Sequence, residues 1–227
     1  MAILQKKNIK KMIIYDLDGT LVDSAITVTD ILNSMRRRLK KSALEPTFVR
    51  PFTALGGEAL IKMALDCDDS KVAAYLNEFR QIYASLEVDQ GTMFSGVIET
   101  LQSLKDSGFK LAMCTNKPRD LAIKTLKTLK LTPFFDFTVC GGDVEQLKPS
   151  PDPILKITRA LNIQVRHSVF VGDTIVDYSA ATACDMDFLF YDSGYDKMLN
   201  EVHNLVTIHS HIDILQHVNS CPEWAEK

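Results

Sequence analysis

The sequence predicts an α/β protein: a parallel sheet with helices on both faces, interrupted once by an all-helical insert. Three observations carry this reading. Short apolar runs rich in branched and aromatic residues recur, and several end abruptly in polar residues or glycine, as buried parallel strands do. From Gly96 onward these runs alternate with helical periodicity, the rhythm of repeated β-α units. Between residues 24 and 88, by contrast, nothing reads as a strand.

The first strand is predicted over residues 12–15, where Met12-Ile13-Ile14-Tyr15 runs without polar interruption. Asp23 or Ser24 suits the N-cap of a helix striped by Val28, Ile31, Leu32, Met35 and Leu39. The cations Arg36, Arg37, Arg38, Lys40 and Lys41 crowd its end, where they suit the helix dipole and solvent. Pro46 and Pro51 break the pattern and Gly56-Gly57 mark a turn. A short helix follows over 58–65, then a longer one striped by Val72, Leu76, Phe79, Tyr83 and Leu86. The alternating part predicts a helix over 98–105 stopped by Gly108, a strand over 109–114, a helix over 121–129 and a strand over 135–140. Pro151 and Pro153 open a helix running to residue 161. A strand over 168–171, a helix over 175–184, strands over 188–191 and 205–208, and a helix over 212–218 complete the chain.

Composition narrows the function classes. At 227 residues the chain is long enough for one substantial core, alone or with a small accessory domain. A formal charge of -3 implies no broad basic surface, hence no nucleic-acid partner. No apolar run approaches the roughly 20 residues of a membrane span, and the lead with Lys6, Lys7, Lys10 and Lys11 reads as solvated rather than as a secretory signal. Five scattered cysteines without a C-x-x-C pair argue for reduced thiols and a cytoplasmic location.

Four predicted strand ends carry polar residues of one chemistry: Asp16 and Asp18 after the first, Thr115 and Asn116 after the second, Lys148 beyond the third, and Asp173 with Asp177 after the fourth. Open parallel sheets gather ligands beyond the carboxyl ends of their strands, so all four ends can meet on one edge. Residues two apart in an extended segment share a side, which lets Asp16 and Asp18 face one site. Phosphoryl transfer asks for this mixture. Asp16 can attack phosphorus, and Asp18 can protonate the leaving oxygen and later take a proton from water. Asp16 and Asp173 are natural ligands for Mg²⁺, with Asp177 ligating directly or orienting a bound water. Thr115 and Lys148 can stabilise the transferring group. Arg50, in the loop before Gly57, suits a carboxylate on the leaving group. Met63, Phe79, Tyr83 and Met93 read as core of the insert. His209 and His211 mimic a metal pair, but without a third ligand they read as surface residues.

The motifs Asp16-Leu17-Asp18-Gly19-Thr20-Leu21-Val22-Asp23-Ser24, Thr115-Asn116-Lys117, Lys148-Pro149 and Gly172-Asp173-Thr174-Ile175-Val176-Asp177 occur in the order seen in haloacid-dehalogenase-superfamily phosphatases, which the chain resembles over nearly its whole length. The resemblance implies a Rossmann-like core over 1–22 and 92–227, a helical cap over 23–91, Mg²⁺ and a covalent phospho-aspartate. It implies Asp16 as nucleophile, Asp18 as acid/base with its main-chain oxygen on the metal, Asp173 as a further ligand, and a phosphate site at Thr115 and Lys148, with Gly19 and Asn116 beside them. Within the superfamily the chain looks most like phosphoglycolate-phosphatase-like hydrolases, through Thr115-Asn116-Lys117-Pro118, residues 148–153 and Gly194-Tyr195. Cys184-Asp185-Met186 departs from their usual Ala-Gly-Met, a change expected to affect a turn and not the chemistry. The expected substrate is a small phosphorylated metabolite and the expected assembly a monomer or homodimer. Sugar phosphomutases, nucleotidases and pyrophosphatases share such a core and remain alternatives. A receiver-type signalling module fits less well, being shorter and without the insert, and a silent scaffold would usually lack a motif residue.

Overall fold

A computed structural model describes residues 10–53, 57–196 and 198–220. Six strands form one all-parallel sheet: β1 (Met12–Tyr15), β2 (Lys110–Pro118), β3 (Phe137–Gly141), β4 (Ser168–Gly172), β5 (Asp187–Tyr191) and β6 (Val206–Ile208). Their order is 3-2-1-4-5-6, the doubly wound Rossmann order and not the 2-1-3-4-5 of flavodoxin-like receivers. β1 is central, flanked by β2 and β4, and all four of its residues are fully buried.

Because side chains alternate along a strand, the sheet builds two cores. Ile13, Tyr15, Leu111, Met113, Val169 and Val171 face one way, against α5 (Val97–Asp106), α6 (Arg119–Thr128) and α9 (His211–Ser220). Met12, Ile14, Ala112, Cys114 and Phe170 face the other, against α7 (Asp152–Leu161) and α8 (Ile175–Thr182). Each such large apolar side chain contributes roughly 1.5–3 kcal/mol relative to exposure, which makes the strand ends a stiff platform.

Between β1 and β2 the chain leaves the sheet for α1 (Ala25–Arg38), α2 (Pro46–Thr53), α3 (Gly57–Leu65) and α4 (Asp69–Ser85). These four helices share a separate apolar core that includes Leu32, Met35, Ile61 and Phe79. The outgoing and returning segments lie side by side: Val22 bridges Met93 antiparallel, and the Asp23 N–H donates to the Thr92 carbonyl at 2.7 Å. The insert therefore joins the sheet at one place, just beyond β1.

Several expectations need correction. Pro46 and Pro51 do not break helicity: Pro46 opens α2, and Pro51 lies inside it near its C-terminal end, where its missing N–H removes one backbone hydrogen bond. The turn expected at Gly56-Gly57 lies partly outside the described residues, and Gly57 begins α3. Lys10 is buried, not solvated; it donates to the Arg166 carbonyl at 2.9 Å and pairs with Asp187. Arg36 is likewise buried, bonded to the carbonyls of Ser42 and Ala64, while its neighbours Arg37 and Arg38 face solvent. Asp185 adopts φ +56°, so the turn persists without the glycine. No helix among the described residues is long and apolar enough to cross a membrane.

Candidate active site

The order of the sheet puts the polar strand ends together. Asp16 follows β1 directly and its N–H donates to the Val171 carbonyl at 3.0 Å, which extends the ladder with β4. Asp173 follows β4. Thr115 and Asn116 lie in the last part of β2, on the other side of β1. Lys148 arrives from the loop between β3 and α7, and Asp177 from the first turn of α8.

Lys148 ties the cluster together. Its buried Nζ donates to Asp16 Oδ1 at 2.6 Å, to Asp177 Oδ1 at 2.6 Å and to the Cys114 carbonyl at 2.9 Å, using all three ammonium hydrogens. Asn116 holds the lysine's backbone from both sides: Nδ2 donates to the Lys148 carbonyl at 2.8 Å, and Oδ1 accepts the Lys148 N–H at 3.0 Å. Asn116, expected at the phosphate site, lines the cavity and with its side-chain amide fixes Lys148. Asp177 is oriented by a capping box, its Oδ2 accepting from the Thr174 N–H and hydroxyl. Thr115 is buried, and its hydroxyl accepts the Lys117 N–H at 3.1 Å.

Two glycines make this packing possible. Gly19 has φ +88°, and a Cβ there would stand 2.0 Å from Asp173 Oδ2. A Cβ on Gly172 would stand 2.6 Å from that of Asp177. In both places the backbone passes where only hydrogen fits.

The electrostatics leave a charge to be balanced. Asp16, Asp173 and Asp177 are buried and offer oxygens within 4.8 Å of one another, against the single ammonium of Lys148. Burial pushes Asp16 up to about 7 in spite of Lys148, with Asp177 adding to the rise. Burial, then Asp177 and Asp16, raises Asp173 well above the usual carboxylate range. Lys148 is held protonated: burial disfavours its charge, but Asp16 and Asp177 more than compensate. Asp173 Oδ1 accepts from the Thr20 hydroxyl at 2.7 Å, whereas Oδ2 is buried with no hydrogen-bond partner. An orphaned carboxylate oxygen beside two more carboxylates fits a hard divalent cation.

Asp18 has a different environment. Its Oδ1 accepts from Lys117 Nζ at 2.8 Å, and the same ammonium lies 2.7 Å from the hydroxyl of Tyr83 on α4. Asp16, Asp18, Thr115, Asn116, Lys117, Lys148 and Asp177 all line one cavity of about 630 Å³, roofed by Val28, Leu60, Leu76, Phe79 and Tyr83 of the insert. That volume lies within the usual range for small-molecule sites. Phe79 and Tyr83, expected as insert core alone, serve both core and cavity.

Arg50 is not among the residues lining this cavity. Its guanidinium pairs with Asp23 Oδ2 and lies over the ring of Tyr195, whose hydroxyl donates to Asp23 Oδ1 at 2.9 Å. The reason is proximity: Asp23 sits where the insert leaves the sheet, so it meets α2 before any substrate would. His211 is also corrected. It is fully buried behind the site, with Nε2 2.8 Å from the Thr20 carbonyl, and burial lowers its pKa to about 4. The neutral ring thus donates to Thr20, which in turn holds Asp173. His209 is exposed, as expected. Lys117, Tyr83, Tyr195 and His211 were not singled out by the sequence pattern as site residues. The signals available were the lysine's place directly after Thr115-Asn116 and the Gly194-Tyr195 pair.

A family model, haloacid dehalogenase-like hydrolase, matches residues 13–191. The chain belongs to that family. Within this haloacid dehalogenase-like group it is 33% identical over 195 residues to the phosphoglycolate phosphatase of Aquifex aeolicus, covering 85% of this chain and 89% of that one. It is 32% identical to the plasmid-encoded phosphoglycolate phosphatase of Cupriavidus necator, covering 81% of each. Among solved structures, a subfamily IA hydrolase of the superfamily from Geobacter sulfurreducens superposes with a TM-score of 0.70 at 21% identity, covering 94% of this chain and 98% of that one. CbbY of Rhodobacter sphaeroides, solved with xylulose-1,5-bisphosphate, gives 0.70 at 18% identity, covering 89% and 96%. The structural likenesses establish the fold. The sequence relatives make this haloacid dehalogenase-like protein an enzyme of the hydrolase class akin to phosphatases.

Proposed function

We propose that the protein is a Mg²⁺-dependent phosphatase that hydrolyses a small phosphate monoester through a phospho-aspartate, and that its substrate resembles phosphoglycolate. One observation carries the reading: a buried carboxylate, Asp16, faces a metabolite-sized cavity with Lys148 on one oxygen and two further carboxylates beside it. Mg²⁺ would be held by Asp16, Asp173 and Asp177, with the Asp18 main-chain oxygen, and would supply positive charge against the phosphate oxygens.

The remaining work falls to the chain's own groups. An Asp16 oxygen attacks phosphorus, and the bond from phosphorus to the ester oxygen breaks. Asp18 gives that oxygen a proton and the alcohol leaves. Water then attacks phosphorus, its proton returns to Asp18, and the bond to Asp16 breaks to free inorganic phosphate. Lys148 and Thr115 meet the charge spreading over the transferring group. The helical insert, residues 23–91, acts as a cap over the strand ends that excludes water during the reaction. The thiols Cys67, Cys114, Cys140 and Cys184 are free, which suits a cytoplasmic enzyme.

The test is phosphate release from a panel of esters with Mg²⁺, native protein against Asp16→Asn. Native activity that falls on the order of 10⁴-fold or more in the variant is expected. Isomerised sugar phosphate without release would instead make it a mutase, and equal activity in both proteins would remove Asp16 from the chemistry.

A further inference from the structure

The geometry points to Lys117 as the residue that recognises a carboxylate carried by the leaving alcohol, one methylene from the ester oxygen. This rests on the phosphatase reading above, in which Asp18 meets the leaving oxygen. A second group bonded to the Asp18 carboxylate within the same cavity then stands beside the next atoms of the leaving group. That group is Lys117, 2.8 Å from Asp18 Oδ1, with a side chain 7% exposed.

Among the described residues three cationic side chains line the cavity: Lys148, Lys117 and Arg80. Lys148 has all three hydrogens committed to Asp16, Asp177 and Cys114. Arg80 is exposed on α4, where water screens its charge. Lys117 is desolvated, and a charge-assisted bond strengthens in that setting. It also has a partner that does not compete for its charge: Tyr83 presents a neutral hydroxyl at 2.7 Å and its ring centroid at 4.5 Å. Tyr83 stands on α4 of the insert, Lys117 on β2 and Asp18 just beyond β1, so the ammonium sits where the two parts meet at the cavity.

The experiment compares kcat/KM for 2-phosphoglycolate and ethyl phosphate, which differ by the carboxylate, in native protein, Lys117→Met and Lys117→Gln with Mg²⁺. The expected result is a kcat/KM for 2-phosphoglycolate that falls on the order of 100-fold more than that for ethyl phosphate. Lys117→Gln keeps a hydrogen-bond donor and decides the matter if the methionine variant fails to fold. Equal losses on both esters would overturn the proposal, since Lys117 would then serve Asp18 alone. A loss of discrimination confined to Arg80→Gln would overturn it as well. Calorimetric titration with glycolate adds an arm independent of turnover: binding at least about tenfold weaker in Lys117→Gln supports the assignment, and equal binding overturns it. A native protein that hydrolyses neither ester but binds glycolate through Lys117 would sink the phosphatase reading and leave this recognition standing.

Discussion

The strand ends and the helical insert are held by different physics. At the strand ends Lys148 answers to three partners from separate elements, Asp16 just beyond β1, Cys114 on β2 and Asp177 on α8. The insert coheres through apolar contact among its own helices. Among the described residues side chains join it to the sheet part polar group to polar group at few points: Lys117 with Tyr83, Tyr195 with Asp23 and the Ala25 N–H, and Lys124 with the carbonyls of Ala84 and Leu86. A site over-determined in this way holds reacting groups in place. A unit attached by two adjacent segments and a few bonds is free to differ in position and in what it recognises. Chemistry and specificity are thus separated in space, and they are expected to respond differently to substitution.

Removing Lys148 is expected to have the largest effect. Lys148→Met leaves Asp16 and Asp177 buried without their cation, so stability should fall by about 3–5 kcal/mol and phosphate release on the order of 10³-fold. Urea unfolding and a phosphate assay check both. A variant that keeps native stability would show that the strand ends are no more coupled than the insert.

Metal and pH should sharpen the contrast next. Asp16 and Asp173 keep their protons in the folded, metal-free protein at pH values where the unfolded chain has lost them. The folded state then binds more protons, so these groups lower stability as pH rises from about 4 toward 7. Mg²⁺ needs both carboxylates charged and should offset that loss, by about 3–4 kcal/mol when well above its dissociation constant. The rise in melting temperature on replacing EDTA with Mg²⁺ is therefore expected to be larger at pH 8 than at pH 5. The reverse order would remove the buried carboxylates as the cation's ligands.

The smallest effect belongs to the point where the insert leaves the sheet. Arg50→Ala breaks the half-buried pair with Asp23 and should cost about 1–2 kcal/mol while changing kcat/KM less than about fivefold. A large change in KM with unaltered stability would return Arg50 to the substrate.

The contrast also marks what could be read in advance. The six strands and the helices between them were legible because a buried parallel strand is a local pattern, a short apolar run with a polar end. The motif acids and Lys148 were legible because the topology sends every such end to one edge. Arg50, Lys117, Tyr83 and His211 were not. Each is defined by a partner 27 to 191 residues away, and nothing local distinguishes a lysine that meets Asp18 from one that meets water. Pro46 and Pro51 misled for a related reason, since packing of the insert outweighed a local preference against helix.

Local order in the sequence determined the parallel sheet, the insert and the set of reactive groups, because alternation and periodicity are properties of neighbours. Tertiary structure alone decided which cation meets which carboxylate. Charges choose partners by distance and desolvation, and both exist only once β1, β2, β4 and α4 have come together.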